Sequence, residues 1–405
     1  MTATSSPDTG RHVALLLPSH AGGGVTRAFL QLANGLSSRG HRVEFVLCRA
    51  IGPYLEKVSS DIPIVELTPE FGLRARQRAL SLSPDAWREM LRPILLAPSA
   101  APVLPYIASL AQYLDSSRPD VVLSGKTHTN LLSIWARRMA SQHPRVVVSE
   151  RTHLSAELET SNKWRWRYLA PLIGKLYRAA DAITAVSNGV SDDLAETTGL
   201  PRESIQTIYN PVARPEIYQS AELQIDHPWF AKGEPPVVLA VGRLTEQKQY
   251  PVLLEAFAQL RQRREARLLI LGEGKERKRL TARVHELGLD ASVSLLGFAK
   301  NPYAYMAQAA VFVLASAWEG LPGVLIEALV CGCPVVSSDC PSGPREILEA
   351  GRYGELVPVG DVEALSAAIE RSLVQPPDRQ FLRMRGAEFS LDAALDAYSK
   401  VLFPG

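Results

Sequence analysis

The chain has 405 residues, more than one compact core normally holds, and is expected to form two or three domains. Hydrophobic residues make up 46% and charged residues 21%, a globular balance that excludes a disordered or collagen-like chain. Lys plus Arg (44) nearly cancel Asp plus Glu (42), so the basic excess of a nucleic-acid binder is missing and no nucleic-acid partner is expected.

Four cysteines (Cys48, Cys331, Cys333, Cys340) are too few for a disulfide scaffold and suit a reducing, cytoplasmic setting. The opening residues are polar, and the apolar run behind them, 13–17, is too short for a signal-peptide core. That run begins a series of short β-branched stretches alternating with amphipathic ones, the pattern of a parallel sheet flanked by helices. In the first half the predicted strands are 13–17, 43–47, 121–123, 146–149 and 182–186.

The first strand leads into Gly22, Gly23 and Gly24 and then a run of helical period ending at Gly40, one βαβ unit of a doubly wound sheet. A glycine turn at the carboxyl end of a strand lets backbone N–H groups meet phosphate or sugar oxygens with no Cβ in the way. The spacing is not GxGxxG, and taken alone the turn fits a tight corner as well as a ligand loop.

The stretch 93–114 carries no charge. Its Pro93, Pro98, Pro102 and Pro105 forbid a continuous helix in the first half, so a packed surface element is expected, with a membrane-dipping segment as the alternative. Farther on, nine Lys or Arg stand against three acidic residues between 137 and 178. Within that stretch Trp164, Trp166 and Tyr168 interleave with Lys163, Arg165 and Arg167, which fits either a packed helix with a solvated basic edge or a face for an anionic bilayer.

A proline-rich stretch, 210–236, breaks the rhythm and reads as a linker. Strands then resume at 237–241, 268–271, 293–295, 311–314, 335–337 and 356–358. The expected fold class is α/β: a Rossmann-like domain over 1–212, a linker over 213–236, and a second Rossmann-like domain over 237–385. Residues 386–405 are expected as a C-terminal helix crossing back to the first domain. Two doubly wound domains of this kind are expected to face each other across a cleft.

Arg243 and Lys248, five residues apart just past the first strand of the second domain, suit a diphosphate clamp, although two solvated charges would explain the pair alone. Gly272 and Gly274 follow the next strand end. Glu319 and Glu327, with seven residues between them, bracket the turn Gly320, Leu321, Pro322, Gly323 and a helix start at Val324, where backbone donors face an anion or sugar hydroxyls. Glu327 is placed to accept from a ribose diol, or else is a helix-terminal carboxylate favoured by the dipole. Cys331 and Cys333 lack both metal-site spacing and a second pair, so buried thiols are expected. No Asp-x-Asp pair occurs, and no metal site is expected.

In order, GRLTEQK (242–248), GEG (272–274), Glu-x7-Glu and GCPVVSSDCPSGPREIL (332–348) resemble the retaining glycosyltransferases of family four, with the GT-B fold. The likeness extends into the first domain, where AVSNGV (185–190) resembles its last strand and turn and NPV (210–212) its end.

The resemblance implies that Arg243 and Lys248 hold the donor diphosphate, that Glu327 takes the ribose hydroxyls, and that Glu319 contacts the donor sugar. It places His128 near the reacting carbon, ahead of His20 and His153. Gly24, Gly242, Gly272, Gly274 and the turn from Gly320 to Val324 then belong to the donor site, and Gly22 and Gly23 to the acceptor. Gly323 departs from the pattern, since many relatives carry a larger residue there.

The activity implied is retaining, metal-independent transfer of a sugar, UDP-linked by resemblance, to a glycan or lipid-linked acceptor in bacterial surface-polysaccharide or glycoconjugate synthesis. The nucleotide sugar is a substrate, and no cofactor is expected. Peripheral contact with the inner face of the plasma membrane stands beside a wholly cytoplasmic location. A same-fold epimerase or phosphorylase, or a non-catalytic sugar-binding protein, are the alternatives.

Overall fold

A computed structural model describes residues 10–20, 23–97, 102–160 and 164–404. The chain divides into two compact units, one running to Pro211 and taking back the chain from Leu391, the other Val212–Ser390.

The first unit is built on a seven-stranded parallel sheet: β1 His12–Leu17, β2 Arg42–Leu47, β3 Ile64–Glu66, β4 Val121–Ser124, β5 Arg145–Glu150, β6 Ala182–Ala185 and β7 Ile205–Thr207. Their spatial order is β3-β2-β1-β4-β5-β6-β7. Central strands such as β1 and β4 are buried along their whole length and read as continuous apolar runs. The edge strands β3 and β7 escape the sequence pattern because each is three residues long and poorly buried: β3 has two exposed positions and one half-buried one, and β7 has one of each.

The strand order reverses between β1 and β4, and ligands of open α/β sheets collect outside the carboxyl ends at such a point. The core is closed by the C-terminal helix Leu391–Leu402, whose Leu395, Tyr398, Val401 and Leu402 pack among Val13, Phe29 and Val147. A Cβ on Gly35 would stand 2.6 Å from Leu395 Cδ1, so glycine lets Leu395 seat against the helix Gly24–Ser38 where a larger residue would make that side chain shift. Polar ties back the packing: Arg145 Nε donates to the Val401 carbonyl (2.8 Å), and Arg39 pairs with Asp396 (2.7 Å).

The uncharged stretch divides into a π-helical turn Leu91–Leu95 that contains Pro93, a 3-10 turn Leu104–Tyr106 and the helix Ile107–Ser117. Pro98 lies outside the described residues. No helix among those described is long and apolar enough to cross a membrane.

The second unit carries six parallel strands, β8 Val237–Val241, β9 Arg267–Leu271, β10 Val293–Gly297, β11 Val311–Leu314, β12 Val335–Ser338 and β13 Glu355–Val357, in the order β10-β9-β8-β11-β12-β13. Here the reversal falls between β8 and β11. Residues 213–236, read from the sequence as a linker, belong to this unit: the helix Pro215–Ala221 is held where Asn301 Nδ2 donates to the Ser220 carbonyl (2.8 Å). The amides of Val212 and Ala213 both donate to the Phe389 carbonyl (3.0 and 2.9 Å), which keeps 386–390 in the second unit as well. Proline content marked an irregular path there, and packing made that path part of a domain.

Candidate functional site

In the second unit the loops after β8, β9, β11 and β12 are sewn into one surface. Gly242 N donates to the Leu271 carbonyl (2.9 Å) and Leu244 N to the Glu273 carbonyl (2.9 Å), so the GRL and GEG loops prolong the β8–β9 ladder past the strand ends. Glycine makes this approach possible. A Cβ on Gly272, where φ is +146°, would fall 1.9 Å from the Gly242 oxygen, and one on Gly274 would fall 2.3 Å from the Leu244 oxygen.

The next suture joins the clamp loop to the loop after β11. Ala317 N donates to the Gln247 carbonyl and Gln247 Nε2 to the Trp318 carbonyl, both at 2.8 Å. Glu319 N then donates to the Pro341 carbonyl (3.1 Å) in the loop after β12. Gly343 closes this corner: at φ +95°, its absent Cβ would sit 2.4 Å from Pro322 Cδ.

On this frame, Lys248 and Glu319 meet. The 3-10 turn Glu246–Lys248 delivers Lys248 Nζ onto Glu319 Oε1, and Ser316 Oγ donates to the same oxygen at 2.6 Å. The two side chains are 14% and 9% exposed, so the pair sits in poor solvent with one carboxylate oxygen doubly anchored. Ser338 Oγ in turn donates to the Ser316 carbonyl (2.5 Å), bracing Ser316. Beneath Gly242 lies the buried Tyr250, whose phenol is pushed well up by burial and then by the Glu319 charge; it stays protonated. Cys340 is a buried thiol pushed up to about 12 by burial first and the Glu319 charge second, which removes it as a thiolate nucleophile near neutral pH. Arg243 stands exposed at the rim.

The helix Gly323–Val330 starts directly after Pro322, and the N–H groups of an α-helix's first turn, Gly323 and Val324 here, have no partner within the helix. A Cβ on Gly323 would approach nothing closer than Val212 Cγ2, at 3.6 Å. Glu327 is 3% exposed, and Tyr303 OH donates to its Oε1 at 3.4 Å while Arg214 Nη2 donates to Tyr303 at 2.7 Å. Ser316, Tyr303 and Arg214 were not singled out in the sequence. Ser316 lies three residues before Glu319 with no pattern of its own, and Arg214 fell in the supposed linker.

The first unit places its candidates on both sides of its own reversal point. Gly23 (φ +93°) follows β1 and Gly24 opens the helix behind it; a Cβ on either would meet no described atom within 4 Å. Gly22 lies outside the described residues. His128 stands half-buried in the first turn of the helix Thr127–Met139, after β4, with its ring 4.2 Å from that of Trp166. The basic–aromatic stretch therefore packs on the candidate histidine through Trp166, in the 3-10 turn Trp164–Tyr168, and exposes Arg167; Lys163 lies outside the described residues.

His20 is buried edge-on against Phe45, and burial lowers its pKa; His153 is tied to Asp193 (3.3 Å). Behind His128 sits a buried polar group absent from the sequence reading: Thr127 Oγ1 (3.1 Å) and Tyr177 OH (3.1 Å) donate to Glu150. Burial, then the Glu157 charge, lifts the Glu150 carboxyl to about 8.

Cys331 and Cys333 are free and buried. Among the described residues no group of three or more His, Cys, Asp or Glu is placed to hold a metal ion.

Two Rossmann-like units with their loop sites at the sheet reversals define a GT-B protein. The chain is similar over nearly its full length to solved structures of that fold: the lipopolysaccharide outer core galactosyltransferase WaaB (TM-score 0.70, 21% identity, 96% of this chain and 99% of that one) and Anabaena HepE in complex with UDP and glucose (TM-score 0.74, 19% identity, 97% and 99%). The family model Glycosyl transferases group 1 matches residues 223–389, and Glycosyltransferase Family 4 matches 22–214. The chain belongs to these glycosyltransferases.

Among curated relatives, the N-acetylgalactosamine-N,N'-diacetylbacillosaminyl-diphospho-undecaprenol 4-alpha-N-acetylgalactosaminyltransferase of Campylobacter jejuni is 34% identical over 60% of this chain and 64% of its own length. The lipopolysaccharide core biosynthesis glycosyltransferase LpsE of Rhizobium meliloti is 31% identical over 56% and 65%, so these matches span just under two thirds of the relatives.

Proposed function

We propose that this chain transfers a sugar from a nucleotide diphosphate donor to a hydroxyl of a glycan or lipid-linked acceptor, with retention at the anomeric carbon and without a metal. The observation that carries the reading is the Lys248–Glu319–Ser316 group set among glycine loops at the β8/β11 reversal. There a cation and helix-start amides supply positive charge for a diphosphate, and Arg243 at the rim adds a second cation. Charge that develops on the leaving nucleotide is the quantity such fixed donors stabilise.

Glu319 has one oxygen anchored, which orients the other toward donor-sugar hydroxyls. Glu327, steadied by Tyr303, accepts from the ribose. A UDP-linked donor follows the family resemblance, and HepE, of the same fold, has been solved with UDP. His128, at the helix start after β4 where the first unit's sheet order reverses, serves the reacting end, and the acceptor belongs to the first unit through Gly22 and Gly23. The Campylobacter and Rhizobium relatives are named for lipid-linked and lipopolysaccharide acceptors, which supports a surface-glycan role.

Incubation with a panel of nucleotide sugars tests this. Nucleoside diphosphate is released quickly only when an acceptor hydroxyl is present, and Arg243→Ala lowers that release by about two orders of magnitude. Release without acceptor dependence, or free sugar binding with no affinity for nucleotide, overturns it in favour of an epimerase, phosphorylase or sugar-binding protein.

A further inference from the structure

One edge of the first unit exposes a cluster of large apolar side chains. Phe71 is 82% exposed, Leu73 71% and Leu96 63%, and Trp87, Leu91 and Tyr168 are also exposed. Specific bonds gather these residues. Arg76, one turn on from Leu73 in the helix Gly72–Leu82, donates to the carbonyls of Leu95 (3.2 Å) and Ala97 (2.6 Å), which brings Leu96 to that helix. Arg92, next to Leu91, lies over the Tyr168 ring at 4.6 Å, and Arg88 lies 5.4 Å from the ring centre of Trp87.

Isolated exposed apolar residues are ordinary, but a cluster marks an interaction site. Its charge says which kind. Arg74, Arg88, Arg92 and Arg167 are exposed among these apolar tips. The acidic side chains on the same elements are already engaged: Glu70 by Arg78 (2.9 and 3.0 Å), and Asp85 and Glu89 by Lys175 (3.5 and 3.6 Å). Asp85 remains outward but is offset by Lys175, so the balance of this face is positive, with Trp, Tyr, Phe and Leu between the arginines. That mixture suits the boundary between lipid headgroups and acyl chains, while the short, proline-interrupted elements cannot cross it.

We propose that this edge, from Phe71 to Leu96 with Arg167 and Tyr168, is a docking surface for an anionic lipid bilayer. The apolar tips enter the interface and the arginines meet lipid phosphates. The proposal takes its purpose from the reading of a lipid-linked acceptor, but the docking itself needs neither donor nor acceptor and is measured without them.

The full chain is sedimented with vesicles of phosphatidylcholine, with and without phosphatidylglycerol, at low and high salt. The parent binds the anionic vesicles and is released by salt. Each exposed arginine is worth about a fivefold change in partitioning, so Arg88→Gln with Arg92→Gln lowers binding roughly 25-fold at low salt. Phe71→Ser with Leu73→Ser and Leu96→Ser abolishes binding at every salt concentration. Turnover on a short soluble acceptor is unchanged in both variants, which also shows that they fold.

A parent that fails to bind anionic vesicles at low salt overturns the proposal, and so does binding that both variants retain. Dimerisation of the parent that the serine variant breaks, with no vesicle binding, assigns the edge to a second copy and overturns it too. Vesicle binding that follows the expected order while no nucleotide sugar is turned over leaves the docking surface standing and removes the transferase reading.

Discussion

Lys248→Met is the most informative single change at the second-unit site, because it separates the stability role of the Lys248–Glu319 pair from its chemical role. Methionine keeps most of the lysine's length and removes the charge. Glu319, with a 9% exposed side chain, is left as a buried carboxylate whose oxygen keeps only the Ser316 hydroxyl at 2.6 Å. Removing one member of a buried ion pair costs ~3–5 kcal/mol, and the surviving hydrogen bond places this case near the lower end, at about 3 kcal/mol. For a domain of the second unit's size that lowers its unfolding temperature by roughly 6–12 °C.

Adding Glu319→Gln removes the stranded charge and should recover most of the loss, a coupling that a double-mutant cycle isolates. Turnover should behave otherwise. If Lys248 meets developing charge on the diphosphate, the single variant loses about two to three orders of magnitude in rate and the double variant regains none of it. Calorimetry reads the first quantity and acceptor-dependent release of nucleoside diphosphate the second. Parent-like unfolding in the single variant, or no recovery in the double, refutes the buried pair; parent-like turnover refutes the clamp.

Three further outcomes follow from the geometry. Glu150 titrates near 8 in the folded chain against 4.5 as its ordinary value, so its contribution is fully present below about pH 4.5 and is lost as pH rises to about 8. Glu150→Gln should abolish that dependence and be more stable than the parent at pH 9 in urea titrations; identical pH profiles would show the carboxyl to be ionised throughout. Gly272→Ala forces a Cβ against the Gly242 oxygen at a positive φ and should destabilise the second unit by ~2–3 kcal/mol, with weakened nucleotide binding by calorimetry; an unchanged unfolding midpoint contradicts the loop packing. Turnover should survive excess EDTA, since Arg243, Lys248 and the helix start supply the positive charge; complete loss restored by magnesium or manganese would show that metal ligands exist.

The repeating unit of the fold was legible in the sequence because buried parallel strands are short β-branched runs, a signal that survives without knowledge of neighbours. Every strand of the second unit and the five longer strands of the first follow from it. The three-residue edges β3 and β7 do not, since a strand with one fully paired side needs no apolar run. The glycines and charged residues of the site were visible as types at strand ends.

Their relations were not. That Lys248 and Glu319, 71 residues apart, form one buried pair depends on β8 and β11 lying side by side where the sheet order reverses. Ser316, Tyr303 and Arg214 gain meaning only from the atoms they touch, and Glu150 titrates high only because the core closes over it. The order of the elements, and the chemistry of the residues at their ends, is local information held in periodicity and composition. Which ends meet, and how far water is excluded when they do, is set by long-range packing. Burial and partner distance are therefore what tertiary structure alone decided.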